Sequence, residues 1–262
     1  MKGNKVVVTG LGAVTPLGLD VATSWQGICA GASGAANIDQ FDASAFTTRF
    51  SASVKSFSVE GYLESRDARR MDPFIQYGMV AGIQAFRDSG FEVTDKNAHR
   101  VGCAIGSGIG GIGSIEDTAM LVEQKGPKRI SPFFVPGAII NMIAGNLSIL
   151  YNLQGPNLAV VTACTTGTHN IGLGARLIAA GDVDAMLVGG AEMATTRLAL
   201  VGLQQREHCQ RATMILSARH VLGMLTETAL FWETAPAFSC WSHTIAPKRE
   251  GLIFIASSPA LV

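Results

Sequence analysis

Short uninterrupted apolar runs alternate along the chain with longer segments whose apolar residues recur every third or fourth position. "KVVVTGLGAVTPLG" predicts a buried strand that ends in a glycine turn, and "DVATSWQGICAG" a helix with a glycine stop. In "MDPFIQYGMVAGIQAFRDSG" the residues Phe74, Ile75, Met79, Ile83 and Phe86 fall at helical spacing, so a long helix is expected there, closed by Gly90. "RVGCAIGSGIGGIGSIEDTAMLVEQKG" reads as strand, glycine loop and helix, and "PGAIINMIAGNLSILYNLQG" as a second apolar helix. "NLAVVTAC" is expected to be a strand, "TTGTHNIGLGARLIAAGD" a helix and "VDAMLVGGAE" another strand. Strands alternating with helices imply a layered α/β fold. Continuous apolar strands, rather than alternating ones, imply a sheet covered on both faces.

Composition narrows the function. The chain has 262 residues, 48% of them hydrophobic, and a formal net charge of +0. That length suits one large domain or two small ones. Balanced charge argues against a general nucleic-acid binder. No uncharged apolar run reaches the roughly 18 residues of a membrane span. The apolar run behind the first methionine is too short for a signal peptide, so the cytoplasm is the expected compartment. Five cysteines are scattered at Cys29, Cys103, Cys164, Cys209 and Cys240, with no CxxC spacing, so neither a zinc site nor a disulfide framework is expected.

Cys164 stands where a predicted strand meets a predicted helix. Free backbone N–H groups and a partial positive charge at a helix start favour the thiolate, which is the nucleophile. The same groups can stabilise an oxyanion on an attacked thioester. Against this stands the ordinary role of a free cysteine as a small buried hydrophobe, and local pattern alone leaves both open. Cys29, on a helix face, and Cys103, inside a strand, read as core. His169 follows Cys164 by five residues, about one and a half turns, too far round for a paired face, so it reads as a structural, hydrogen-bonded histidine. "GSGIGGIG" lacks the Lys-Ser/Thr ending of a phosphate-binding loop, so its glycines read as a tight turn.

These segments carry a resemblance. "GPNLAVVTACTTGTHNIG" resembles the nucleophile segment of type II β-ketoacyl-acyl carrier protein synthases. "VVVTGLGAVTPLG", "RRMDPFIQYG", "GSGIGGI", "SPFFVP", "NMIAGNLSI" and "VGGAEMATT" match the same family in the same order, over about residues 1 to 196. The resemblance implies the N-terminal half of a thiolase-like layered fold (α/β/α/β/α), cytosolic and homodimeric. It implies fatty-acid chain elongation: a cysteine takes an acyl chain from acyl carrier protein, then condenses it with malonyl-acyl carrier protein as carbon dioxide leaves. Cys164 would be that nucleophile, with Ile109 and Phe134 beside the acyl pocket and dimer interface. The basic clusters "SRDARR" and "KGPKRI" read either as a solvated face or, through the family, as a docking surface for the acidic carrier protein, using Arg66, Arg69, Arg70, Lys128 and Arg129. No metal is implied, and no cofactor beyond the carrier's own phosphopantetheine.

After Thr196 the family pattern stops. Joining the third base of each codon to the first two of the next forces Leu from His208–Cys209, Asp from Met214–Ile215, Leu from Phe231–Trp232, Gly from Trp232–Glu233 and Leu from Cys240–Trp241. All five fall where the family's continuation wants them, so 197–262 reads as an out-of-frame tail of unknown structure. The family's two catalytic histidines, its lysine and its phenylalanine gate are then missing. None of His208, His220 or His243 matches a family motif. An unselected frame gives no reason for consistent burial, so Trp232, Phe238, Trp241, Ile253 and Phe254 are expected to expose apolar surface, and the half domain to leave sheet edges unpaired. A truncated, inactive fragment or a non-catalytic carrier-binding partner is therefore the alternative to a working condensing enzyme.

Overall fold

The structure, a computed structural model, describes residues 5–204 and 251–258. The chain runs through β1 (Val6–Ala13), α1 (Val21–Cys29), the small antiparallel pair β2 (Ala36–Asn37) and β3 (Phe50–Ser51), α2 (Ser65–Ala68), α3 (Pro73–Ser89), β4 (Val101–Gly106) and α4 (Ile112–Lys125). It continues through α5 (Phe134–Ala138), α6 (Met142–Tyr151), β5 (Asn157–Leu158), α7 (Thr166–Ala180), β6 (Ala185–Ala191), α8 (Arg197–Gln204) and β7 (Gly251–Ser258). Five strands form one sheet in the order β1-β7-β6-β4-β5, every neighbouring pair parallel.

Alternation along the central strands builds a core on each face. On one side Val101, Cys103 and Ile105 of β4 and Leu187 of β6 join Phe74, Ile75 and Ile83 of α3 and Ile143 and Leu147 of α6. On the other side Ala104, Met186 and Val188 meet Ile178 of α7. This is the both-faces-covered sheet that continuous apolar runs imply. Helix α3 begins and ends on its sequence signals. The Asp72 side chain accepts a hydrogen bond from Phe74 N, Pro73 occupies the first turn, and Gly90 closes the helix with φ 62°.

Four expectations are corrected. The apolar helix expected over 136–155 is two helices, broken at residues 139–141. The carbonyls at the end of α5 are taken by neighbours, Gly137 O by Asp72 N–H and Ala138 O by Gly111 N–H, so the helical ladder stops there. The strand expected over 157–164 pairs only at Asn157 and Leu158. Cys29, read as core, is exposed at the end of α1, whereas Cys103 is buried. The tail does reach the fold. Leu200 of α8 is buried, and β7 pairs with β1 on one side and β6 on the other, so the gap expected in the sheet is filled. Ile253 and Phe254 lie in that ladder, opposite Val8 and Gly10 of β1. Trp232, Phe238, Trp241, Cys209, Cys240, His208, His220 and His243 fall outside the described residues.

Candidate active site

The parallel sheet sends three connections out of the carboxyl ends of adjacent strands β5, β4 and β6, the edge where α/β sheets place their ligands. The first connection carries Cys164. Beyond Leu158 the backbone leaves the ladder, and its polar groups are satisfied instead by side chains of α7. Asn170, fully buried, accepts from Val160 N at 3.0 Å and donates to Val160 O at 3.0 Å and Thr166 O at 2.8 Å. Thr162 N donates to Thr166 Oγ1 at 3.0 Å, and Thr165 Oγ1 donates to Thr162 O at 2.7 Å. His169 Nδ1 lies 2.8 Å from Thr162 Oγ1, so this histidine is hydrogen-bonded, as expected, although it is exposed.

Within this clamp Ala163 has φ 53°, the left-handed region that a non-glycine residue enters at a cost of about 1–3 kcal/mol. Residues Ala163–Thr165 form a single 3₁₀ turn that runs directly into α7. Cys164 therefore sits on a strained bend at a helix start, and it is exposed. Exposure removes the buried-hydrophobe reading for this cysteine. Burial pushes the thiol of Cys103 far above the ordinary range, so that residue is inert packing. The start of α7 approaches the sheet through glycine alone: a Cβ on Gly190 of β6 would lie 3.0 Å from Gly167 Cα.

The second and third connections are joined by a carboxylate. Glu192, just past β6, accepts from Ser107 Oγ at 2.9 Å, Gly108 N at 2.7 Å and Ile109 N at 3.0 Å. Burial holds its carboxyl above the usual range, against these hydrogen bonds, which favour the ionised form. The glycine loop it grips lies on the Cys164 turn: a Cβ on Gly108 would stand 3.3 Å from Ala163 Cα. A second carboxylate, Asp72, accepts from Ser114 N at 3.0 Å and Ser114 Oγ at 2.7 Å and ties the start of α3 to α4. Burial likewise raises its pKa.

Ile109 lies in the Glu192-held loop with its side chain 45% exposed, and Phe134 opens α5 half-buried. Two surface cavities lie elsewhere, one beside Tyr62, Arg87 and Tyr151, the other beside Asn37, Asp39 and Lys55. Arg66 and Arg69 are exposed around α2, and Lys128 and Arg129 are exposed in the 3₁₀ turn Pro127–Arg129. Arg70 is already engaged. It lies 3.7 Å from Asp67, and its guanidinium stacks 4.1 Å from the Phe133 ring centroid, which brings the two basic segments to one side of the molecule. Among the described residues no cluster of His, Cys, Asp or Glu is arranged to hold a metal ion, and no helix is long and apolar enough to cross a membrane. Sequence reasoning missed Asn170, Asp72 and Glu192. The only local signal for Glu192 was an acidic residue closing an otherwise apolar strand.

The family model for the β-ketoacyl synthase N-terminal domain matches residues 3–219. The chain belongs to this family. A relative, 3-oxoacyl-[acyl-carrier-protein] synthase 2 of Vibrio cholerae, is 56% identical over 202 residues, which cover 77% of this chain and 49% of that protein. The Coxiella burnetii protein of the same name is 52% identical over the same shares. The chain thus spans about half the length of the curated relatives it matches. A solved β-ketoacyl synthase from Burkholderia phymatum superposes with TM-score 0.67 at 26% identity, covering 77% of this chain and 50% of that one. The fold is the thiolase-like α/β fold of the ketosynthases, and the layers described here are those of its N-terminal part.

Proposed function

We propose that this chain is the acylating half of a 3-oxoacyl-acyl carrier protein synthase of fatty-acid elongation, with Cys164 as the nucleophile. The observation that carries the reading is the exposed Cys164 on a strained turn entering α7. Its thiolate attacks the acyl thioester carbonyl, the carbon–sulfur bond to the carrier's phosphopantetheine breaks, and the released pantetheine thiolate takes a proton. A solved relative of TM-score 0.65 is a type II polyketide ketosynthase in complex with its acyl carrier protein, which supports the carrier as partner and Arg66, Arg69, Arg70, Lys128 and Arg129 as its docking charges. Ile109 and Phe134 border the acyl chain's path. A homodimer is supported by the exposed apolar residues Met120, Val135, Ile149, Leu158 and Val161 of α4 to α6 and the β5 edge, which a second copy covers.

The chain divides at about residue 196, and 197–262 is the family's continuation read out of frame. The condensation step then lacks its donors. Loss of carbon dioxide from malonyl carrier protein leaves an enolate that the family's two later histidines stabilise, and neither occurs here in a matching motif. Groups that act as a unit lose most of their effect when one is removed, so this chain accepts an acyl group and does not condense. Incubation with acyl- and malonyl-carrier protein should give an acyl adduct on Cys164 by mass spectrometry and no β-ketoacyl product. The protein with its frame restored at codon 196 should give both, and its Cys164→Ala variant neither. An adduct elsewhere would refute the role of Cys164, and turnover by the present chain near that of the restored protein would refute the reading of the tail.

A further inference from the structure

We propose that Glu192 is a positioning residue for Cys164: its carboxylate grips the loop 107–110, and that loop braces the strained backbone at Ala163. The inference rests on the reading of Cys164 as nucleophile but adds a residue outside the cysteine's own segment. Glu192 follows β6, and the loop follows β4, its neighbour in the sheet, with Gly106 opposite Gly190 at the last paired position. One oxygen takes the Ser107 hydroxyl, and the other takes two consecutive amides, Gly108 and Ile109. Ser107 Oγ then accepts from Gly110 N at 3.0 Å, so one carboxylate fixes the whole turn through which the loop doubles back. Among the described residues no cation is paired with it, and the ionised form is held by loop donors alone.

The direction of this brace is what makes it more than packing. A backbone held at positive φ persists only when its surroundings over-determine it. Asn170 and Thr166 hold the turn from the α7 side, and the glycine loop closes the opposite side, with room at Gly108 for no side chain larger than hydrogen: a Cβ there would lie 2.7 Å from Glu192 Oε2 and 3.3 Å from Ala163 Cα. Releasing the loop removes one wall from the turn that presents the thiol.

The test uses the full 262-residue chain. Native protein is pulsed with iodoacetamide, and the rate at Cys164 is measured by peptide mass relative to exposed Cys29 in the same molecules. Amide hydrogen exchange at Gly108 and Ile109 is followed in parallel. In Glu192→Gln the amide nitrogen cannot accept an N–H bond, so protection at one or both amides should fall, and the Cys164-to-Cys29 ratio should drop about tenfold, the usual scale for losing a supporting partner. Ser107→Ala, which leaves the carboxylate in place, should lower the ratio less, and it decides the question should the Gln variant not fold. An unchanged ratio with deprotected amides overturns the proposal, as does a ratio that falls while both amides stay protected. A wild-type Cys164 no faster than Cys29 overturns the nucleophile reading instead, and a ratio that still shifts on substitution keeps Glu192 as the brace.

Discussion

Two apolar segments of similar composition, 157–164 and 183–192, leave the same sheet in different states. β6 pairs on both sides over seven residues, Ala185 to Ala191, and is buried almost throughout. The segment 157–164 pairs at two residues on one side, and its remaining backbone is held by Asn170 and Thr166 side chains. A ladder enforces extended φ along its length, whereas side-chain clamps permit a kink, and the kink at Ala163 is what turns Cys164 outward. The strand that is structurally incomplete is the one that carries chemistry, as expected where a local rule is broken at a functional site.

The contrast can be broken from either end. The largest stability loss should come from β6: Leu187→Ala, in the fully buried ladder, should cost about 2–5 kcal/mol in denaturant unfolding while leaving native Cys164 alkylation unchanged. Asn170→Ala should cost less, about 1–3 kcal/mol from stranding the Val160 and Thr166 groups, yet bring Cys164 down to the alkylation rate of Cys29. Ala163→Gly relieves the left-handed backbone and should stabilise by about 0.5–1 kcal/mol in the same unfolding assay; destabilisation would mean that no strain is stored there.

The smallest effect lies at the opposite end of the same strands, where Arg100 donates to Asp184 at 2.7 Å and to the carbonyls of Gly181 and Asp182. The Arg100 hydrogen bond lowers the Asp184 pKa, so its stabilisation is present above the ordinary carboxylate range and fades as pH falls through the lowered folded value. The difference between wild type and Asp184→Asn in thermal melts should be slight at neutral pH and vanish in acid. Asp72 has the opposite sign. Its raised pKa means that the contribution is full below the ordinary carboxylate range and is lost as pH rises through the folded value, so Asp72→Asn should be least disruptive at neutral pH.

Where local period and caps agree, the elements were legible. Helix α3 follows its apolar spacing, Asp72 and Gly90, and β4 and β6 follow their unbroken apolar runs. What decided the rest lies far along the chain. The break after α5 depends on amides of Asp72 and Gly111, and the Cys164 turn on Asn170 and, through its loop, on Glu192. Pattern in 157–164 says only that the segment is apolar, which suits a strand and a clamped turn alike. The docking of β7 was the least foreseeable. An apolar run, GLIFIASS, met a vacant position between two parallel strands, and backbone pairing asks nothing of reading frame.

Incomplete pairing of the 157–164 segment is what presents an activated Cys164, and thiol reactivity reads this out at once. A time course of iodoacetamide labelling on the native 262-residue chain, with Cys29, Cys103 and Cys164 quantified separately, makes the comparison within one molecule. Cys164 should label first, exposed Cys29 more slowly, and buried Cys103 only once denaturant unfolds the sheet. Cys164 labelled no faster than Cys29 in the folded protein would contradict this reading of the turn.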